Sequence, residues 1–403
     1  MKAITKFYAK RAVRLIFKQN DERPMMAYYN VVCNLRLLKG LIKCVLNRSV
    51  RRKSGVQEGL PKVLQLPITN RCNLNCKMCG IGGCSDVDMP IRDFEMVMQS
   101  ALLKEIIAVG INGGEPFLKH DLVDYVDRIL TLPKLKSLFI ISNGILTEKI
   151  TEKLSVIYSK CKEKNIRFTV TFSIDGYRGV HDKIRGVQGA FDKTIKTIKT
   201  VQENEGKYCD QIGIICTISK HNIYYVNELL AYAALNNLPQ ITYQLAVNHQ
   251  RLHNDHIFED FSVMTDEHMR LLAQEFFFRL YADSGQGFYY YSIYRYIESK
   301  GTERLVNCNW AYRDVTIDAS GSLYYCATKS KAIGSIYDEK PLESSFFDKQ
   351  NMKYRKELVE TECGKCVHYS GNEPYFAAYA KYVGTLKKSW VWRLDYIHKG
   401  RRF

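Results

Sequence analysis

The sequence lacks the features that mark secreted, membrane-spanning and low-complexity proteins. We find no internal repeat and no low-complexity segment, and the basic start over residues 1–18 has no cleavage-site pattern of a signal peptide. The most apolar helical stretch, residues 26–47, is interrupted by Arg36, Lys39 and Lys43, so it is a poor transmembrane span. These absences favour a cytoplasmic location, where the 13 cysteines stay reduced and free to bind metal.

Acidic residues are scarce at both ends of the chain. Residues 1–60 hold 14 Lys and Arg against 3 Asp and Glu, and residues 381–403 hold 7 against 1. Residues 61–380 hold 38 of each, so the net charge of +17 sits on two basic segments around a neutral body. Such ends suit an anionic membrane, nucleic acid or an acidic substrate, although solvated tails would have the same composition.

The N-terminal stretch has the pattern of a basic amphipathic helix. Its apolar residues recur at steps of three and four: Val31, Leu35, Leu38, Ile42 and Val45. A helix of this kind suits peripheral contact with an anionic membrane at its inner face, and it equally suits packing against the rest of the protein. Both interpretations stay open.

From Pro61 onward, strand and helix patterns alternate. The predicted strands are 63–68, 106–112, 137–142, 167–174, 211–218 and 240–246. The predicted helices are 92–105, 121–131, 148–163, 189–205 and 223–236. Strands separated by helices indicate a parallel sheet with helical crossovers, hence an α/β fold.

Three cysteines follow the first predicted strand at the spacing Cys-x3-Cys-x2-Cys: Cys72, Cys76 and Cys79. Three thiolates can hold three corners of an iron–sulfur cube and leave one iron open for chemistry. A structural zinc site usually needs four ligands, and Cys84 could be the fourth. Ligand number favours the iron–sulfur interpretation, and zinc remains the alternative.

Four later segments, each at or just after the end of a predicted strand, complete a resemblance. They are Asn112-Gly113-Gly114-Glu115-Pro116, Ser142-Asn143-Gly144, Ser173-Ile174-Asp175-Gly176 and His181-Asp182-Lys183-Ile184-Arg185-Gly186. With the cysteine triplet, they resemble the radical S-adenosylmethionine (SAM) superfamily. The resemblance implies a partial (β/α)6 TIM-like barrel that binds a 4Fe–4S cluster and SAM.

The resemblance also implies a role for each matching residue. Cys72, Cys76 and Cys79 would hold the SAM-binding cluster, and Met78 would lie under the adenine. The SAM contacts would be Gly113, Gly114 and Glu115 at the methionine amino group, Asn143 and Ser173, and Arg185 at the carboxylate. Asp175 would meet the substrate or act as general acid–base. Turn chemistry alone also favours Asn, Asp and Gly at strand ends.

A second set of cysteines lies near the C-terminus: Cys308, Cys326, Cys363 and Cys366. Between the first two, residues 315–325 have the pattern of a β-hairpin with a Ser-Gly turn. The spacing resembles the start of the SPASM/Twitch extension of this superfamily, which implies a second, auxiliary 4Fe–4S cluster. A full SPASM domain has seven cysteines, and none follows Cys366 here, so we expect a single auxiliary cluster. Four cysteines also suit zinc.

We therefore expect five segments in chain order. They are a basic helical extension (1–60), the barrel (61–250), a helical connection (251–300), a small α+β SPASM/Twitch-like domain (301–370) and a basic aromatic tail (371–403).

The expected enzyme is a radical SAM oxidoreductase or maturase. It would be supplied with electrons by a donor such as flavodoxin or ferredoxin. The basic amphipathic ends of the chain and the lack of leader-binding features favour a sugar, polyol or lipid-linked glycan as substrate. A ribosomally made peptide is the alternative. A basic zinc protein that binds nucleic acid is a remote third hypothesis, because the cysteines lie far from the basic ends.

Overall fold

The computed structural model of the protein describes residues 42, 59–81, 88–283, 287–368 and 375–385. The amphipathic helix predicted within residues 1–60 therefore lies almost wholly outside the described residues, as does most of the 371–403 tail. The chain divides into two compact units. One holds residues 56–304 and 308–372, and the other holds 1–55, 305–307 and 373–403. Within the second, the described residues 376–385 are helical, and Tyr375 N–H donates to Leu305 C=O at 3.1 Å.

The described residues of the larger unit form one sheet of nine strands. They are β1 (Val63–Pro67), β2 (Ala108–Asn112), β3 (Ser137–Ser142), β4 (Arg167–Ser173), β5 (Gln211–Ile218), β6 (Ile241–Leu245), β7 (Val315–Ile317), β8 (Ser322–Tyr324) and β9 (Ala332–Ser335). Strands β1 to β6 lie side by side in sequence order and are all parallel. The six strands predicted from the sequence are these six.

Helices connect the parallel strands. They are α1 (Ile91–Met98), α2 (Leu122–Ile129), α3 (Thr147–Glu163), α4 (Gly179–Arg185), α5 (Ala190–Glu203), α6 (Glu205–Tyr208) and α7 (Val226–Leu235). After β6 come α8 (Phe258–Phe261), α9 (Glu267–Asp283), α10 (Gly287–Glu298), α11 (Leu342–Phe346) and α12 (Lys349–Thr361). The repeated strand–helix unit confirms the partial barrel of the expected fold class.

Periodicity explains why these segments form their elements. In β4, Phe168, Val170 and Phe172 are buried, and the residues between them are less so, as a strand with one face on the helices requires. In α3, Ile150, Leu154, Ile157 and Cys161 are buried at steps of three and four. Burying these faces against each other places the core between the sheet and its helices.

The C-terminal hairpin continues the barrel sheet. Strand β7 pairs with β1 in parallel, with Leu64 opposite Val315 and Gln65 opposite Thr316. Strands β8 and β9 follow in antiparallel pairing. The hairpin was expected, whereas its pairing to β1 could not be read from the local pattern. This pairing joins the strand before the first cysteine set to the hairpin that lies between Cys308 and Cys326.

Side chains cover backbone groups at both edges of the described sheet. At the β6 edge, Tyr290 Oη accepts from Tyr243 N–H at 3.3 Å. At the β9 edge, Asn351 Nδ2 donates to Ile333 C=O and Asp338 Oδ2 accepts from Ser335 N–H, at 2.8 and 2.7 Å. Such contacts protect an edge against pairing with another chain. Over the described residues, no helix has both the length and the apolar character needed to cross a membrane.

Candidate active site

The first cysteine set lies on the loop that leaves β1, at the carboxyl end of the parallel strands. Cys72, Cys76 and Cys79 are each half-buried. Asn75 N–H donates to Arg185 C=O at 3.1 Å, and Lys77 N–H donates to Ile184 C=O at 2.9 Å. The last carbonyls of α4 would otherwise lack partners, because a helix end leaves such groups unsatisfied. The end of α4 therefore holds the chain on both sides of Cys76.

Two glycines hold the other side of the cysteine loop. Gly113 has a φ of +144°, and a Cβ on it would lie 2.4 Å from Thr69 O. A Cβ on Gly114 would lie 2.2 Å from Arg71 O, so side chains are excluded at both positions. Gly114 N–H donates to Thr69 C=O at 2.7 Å. The glycines thus bring the end of β2 against the chain entering the cysteine loop.

Glu115 is buried and joins the ends of β2 and β3. Its carboxylate accepts hydrogen bonds from Ser142 Oγ at 2.9 Å, Phe117 N–H at 3.1 Å and Asn143 N–H at 2.7 Å. Burial raises the pKa of Glu115 to about 7, although these hydrogen bonds oppose the rise. The expected contact of Glu115 with the SAM amino group remains a prediction, and the described contacts of its carboxylate are internal.

The remaining predicted SAM contacts face a common cavity. Asn143 Nδ2 donates to Asn73 Oδ1 at 2.8 Å, which links the end of β3 to the cysteine loop. Met78, Ser173 and Arg185 line the same cavity. The structure therefore brings together residues from three strand ends and from the end of α4 that are far apart in sequence.

Arg185 lies between Asp175 and Cys76. Its Nη2 is 2.7 Å from Asp175 Oδ2, and its Nη1 is 3.7 Å from Cys76 Sγ. Burial raises the pKa of the Cys76 thiol, and the charge of Arg185 opposes that rise. Nη1 and Nη2 thus contact Cys76 and Asp175, whereas the buried Nε has no hydrogen-bond partner among the described residues.

In the second cysteine set, Cys308 precedes β7, Cys326 follows β8, and Cys363 and Cys366 follow α12. Cys308, Cys326, Cys363 and Cys366 are half-buried, and burial raises the pKa of Cys363 to about 12. Burial also raises the pKa of Cys308 and of Cys366, while the charge of Arg304 opposes both shifts. Thiols in such surroundings stay protonated until a metal supplies positive charge, as cysteine ligands of a cluster do.

A polar segment after β6, residues 249–254, joins the two cysteine loops, and we call it the strap. On one side, Leu252 C=O accepts from Gly80 N–H at 2.7 Å. On the other, Gln250 N–H donates to Thr328 C=O at 2.9 Å, two residues beyond Cys326. The strap was missed by sequence reasoning. The cluster of polar residues directly after a strand, where barrel loops form active sites, was the available signal.

Asn254 fixes the strap. It is 1% exposed, its Oδ1 accepts from His249 N–H at 2.8 Å, and its Nδ2 donates to Met78 C=O at 3.0 Å and Val247 C=O at 3.2 Å. All the hydrogen-bonding groups of this side chain are therefore used to hold the residue before Cys79 against the chain leaving β6.

Both cysteine sets line one cavity of about 500 Å³. Ligand pockets of this size hold drug-sized molecules. The lining also includes Gln244, His249, Arg251, Tyr289 and His368, which were not predicted as site residues. Within the described ranges, no three or more His, Cys, Asp or Glu side chains form the ligand set of a single metal ion. In a 4Fe–4S cluster, by contrast, each thiolate binds a different iron.

Residues 66–233 match the family model of the Radical SAM superfamily. The chain is 27% identical over 181 residues to Fe-coproporphyrin III synthase from Methanosarcina barkeri, covering 44% of this chain and 42% of that protein. It is 26% identical over 224 residues to the antilisterial bacteriocin subtilosin biosynthesis protein AlbA from Bacillus subtilis, covering 53% and 46%. The chain spans about half the length of the curated relatives it matches.

Among solved structures, the chain resembles Streptococcus suis SuiB bound to its precursor peptide SuiA, with a TM-score of 0.51 and 18% identity. That match covers 73% of this chain and 67% of SuiB, and it shows the fold. Members of the superfamily use a 4Fe–4S cluster and SAM, and the cysteine loop, the glycine pair and the strand-end residues lie within the matched residues. Residues 66–233 are therefore a domain of the radical SAM superfamily.

Proposed function

We propose that this protein is a radical SAM oxidoreductase or maturase that oxidises a peptide held between two iron–sulfur clusters. The observation that carries the proposal is the single cavity lined by both cysteine sets. A substrate in that cavity would contact the SAM side and the auxiliary side at once. A redox step that needs two electron-transfer sites can therefore take place without the substrate leaving.

The first set would hold the SAM-binding cluster. Cys72, Cys76 and Cys79 provide three thiolates, which leaves one iron of the cube for SAM. When bound, the cluster and SAM supply the radical chemistry that removes a hydrogen atom from a substrate carbon. Met78, Asn143 and Ser173 would contact SAM from the cavity wall, with Gly113, Gly114 and Glu115 at its amino group and Arg185 at its carboxylate.

The second set would hold one auxiliary 4Fe–4S cluster. Cys308, Cys326, Cys363 and Cys366 supply four thiolates, so every iron has a protein ligand. A fully ligated cluster transfers electrons and does not bind substrate. The substrate would lose a hydrogen atom on one side of the cavity, and an electron and a proton on the other. The net result is a two-electron oxidation of the substrate. A flavodoxin- or ferredoxin-type donor would supply the separate electron that reduces the SAM-binding cluster.

The substrate class rests on a relative. AlbA, whose name places it in bacteriocin biosynthesis, aligns with 53% of this chain. The saccharide or lipid-linked glycan favoured by the sequence gains no support from the relatives or structures compared. A peptide is therefore the proposed substrate, and a saccharide is the outcome to test against it.

The test uses anaerobically reconstituted full-length protein. We expect about eight iron per chain, as two 4Fe–4S clusters require, and about half of that in the variant with Cys72, Cys76 and Cys79 replaced by Ala. Peptides encoded beside the gene and a lipid-linked saccharide are then compared for SAM-dependent loss of two hydrogens by mass spectrometry. Cys308→Ala should still form 5′-deoxyadenosine but no oxidised product. Stoichiometric zinc with little iron would refute the proposal.

A further inference from the structure

Three charged or ionisable groups stand in a row beside the first cysteine loop. The side chain of Asp175 has no exposure and that of Arg185 is 12% exposed, with 2.7 Å between Asp175 Oδ2 and Arg185 Nη2. On its other side, Arg185 Nη1 lies 3.7 Å from Cys76 Sγ. The guanidinium therefore connects a carboxylate to a cysteine sulfur, and two of its three nitrogens are used for this.

Asp175 is fixed from several directions. Its Oδ1 accepts from Thr217 N–H at 2.9 Å, and its own N–H donates to His181 Nδ1 at 3.1 Å. Asn222 Nδ2 donates to its backbone C=O at 2.8 Å. Elements β5 and α4 thus hold the carboxylate in place. A group with these contacts suits the orientation of a neighbour better than the uptake and release of a proton.

Cys76 is fixed as well. The hydrogen bonds from Asn75 and Lys77 to the end of α4 hold its backbone, and Arg185 is the last residue of that helix. The separation between guanidinium and sulfur is therefore set by one rigid piece of structure. A positive charge near a cluster stabilises its more negative, reduced state, and hydrogen bonds to ligand sulfurs also raise the reduction potential.

We propose that Arg185 raises the reduction potential of the SAM-binding cluster through Cys76, and that Asp175 is the positioning residue that holds Arg185 there. This inference rests on the proposed function, in which Cys72, Cys76 and Cys79 hold that cluster. The role is compatible with a contact between Arg185 and the carboxylate of SAM. It replaces the acid–base role expected for Asp175.

The test measures the midpoint potential of each cluster in SAM-free protein by redox titration with electron paramagnetic resonance detection. Arg185→Gln removes a positive charge and should shift the midpoint of the SAM-binding cluster to more negative values. Asp175→Asn frees Arg185 from its ion pair, so the midpoint should also become more negative, and a midpoint at or above the wild-type value would remove the positioning role of Asp175. The auxiliary cluster in the same sample is the internal control and should keep its midpoint.

Either single variant leaves a buried charge without its partner and can fail to fold. Arg185→Lys keeps the charge and should stay closer to the wild-type midpoint than Arg185→Gln. The double variant Asp175→Asn/Arg185→Gln removes both charges together and should shift the midpoint less than Arg185→Gln alone. An unchanged midpoint in Arg185→Gln or in the double variant overturns the proposal, as does an equal shift in both clusters.

A base at Asp175 would give a different pattern. Asp175→Asn would then abolish product formation while the affinity for SAM stayed at the wild-type value. A loss of SAM affinity would instead support the role of Asp175 in positioning Arg185. Failure of the proposed function is separate, because it would appear as unchanged iron content in the triple cysteine variant. The midpoint titration is interpreted only for protein whose iron content has passed that check.

Discussion

Replacing Asn254 by Ala tests whether the strap holds the cysteine loop. The substitution removes three hydrogen bonds at a side chain that is 1% exposed: those to His249 N–H, Met78 C=O and Val247 C=O. A net contribution of about 1 kcal/mol per bond gives about 3 kcal/mol lost from the free energy of unfolding. Buried partners left without a hydrogen bond would increase this loss.

The assay is guanidinium unfolding of metal-free protein under anaerobic conditions, followed by iron and SAM binding after reconstitution. We expect a lower unfolding midpoint with an unchanged slope, and reduced occupancy of the SAM-binding cluster. Asn236→Ala is the matched control, because Asn236 Nδ2 also donates to a backbone carbonyl, Tyr232 C=O, but away from the cavity. Asn254→Ala protein that unfolds and loads iron like this control would refute the role of the strap.

Three further predictions concern Glu115, Gly114 and the basic N-terminal segment. Folding raises the pKa of Glu115 from 4.5 to about 7, so the folded state holds the proton of this carboxyl group more tightly than the unfolded state does. The free energy of unfolding should therefore fall by roughly 3 kcal/mol as pH rises through this range. Urea unfolding midpoints that stay constant between pH 4.5 and 7.5 would contradict this. Gly114→Ala should reduce the iron content of the SAM-binding cluster, because a Cβ at this position would lie 2.2 Å from Arg71 O. A wild-type iron content with an unchanged melting temperature would show that the loop adjusts to the added methyl group. The full chain should pellet with anionic vesicles, less with neutral ones, and should detach in high salt. Deletion of residues 1–55 should abolish pelleting and preserve SAM cleavage. Protein that stays in the supernatant with both vesicle types would remove the membrane interpretation.

Sequence pattern predicted what depends on local spacing. Strands β3 and β5 lie at the predicted residues, because buried and less buried residues alternate along each of them at a period of two, which the sequence pattern predicts. The two cysteine sets were found from ligand number and spacing, and the structure brings both to one cavity.

What the sequence could not predict depends on long-range geometry. Arg185 contacts Asp175 and Cys76 because α4 ends beside the cysteine loop. Local sequence patterns do not predict which helix end packs against which loop. Glu115 shows the same limit. Its motif predicted a contact with SAM, which remains a prediction, but it did not predict the hydrogen bonds that its carboxylate accepts from Ser142 and Asn143. The strap escaped notice because its main connections use backbone groups, which every residue carries.

The pairing of β1 with β7 has a consequence for synthesis of the chain. Leu64 and Val315 are about 250 residues apart, so at roughly 5–20 residues per second the ribosome needs about 12 to 50 seconds to make the partner of β1. During that time one side of β1, with its buried Leu64, has no strand to pair with. The nascent chain therefore exposes an unpaired strand edge, open to pairing with other chains, until Val315 has emerged and docked.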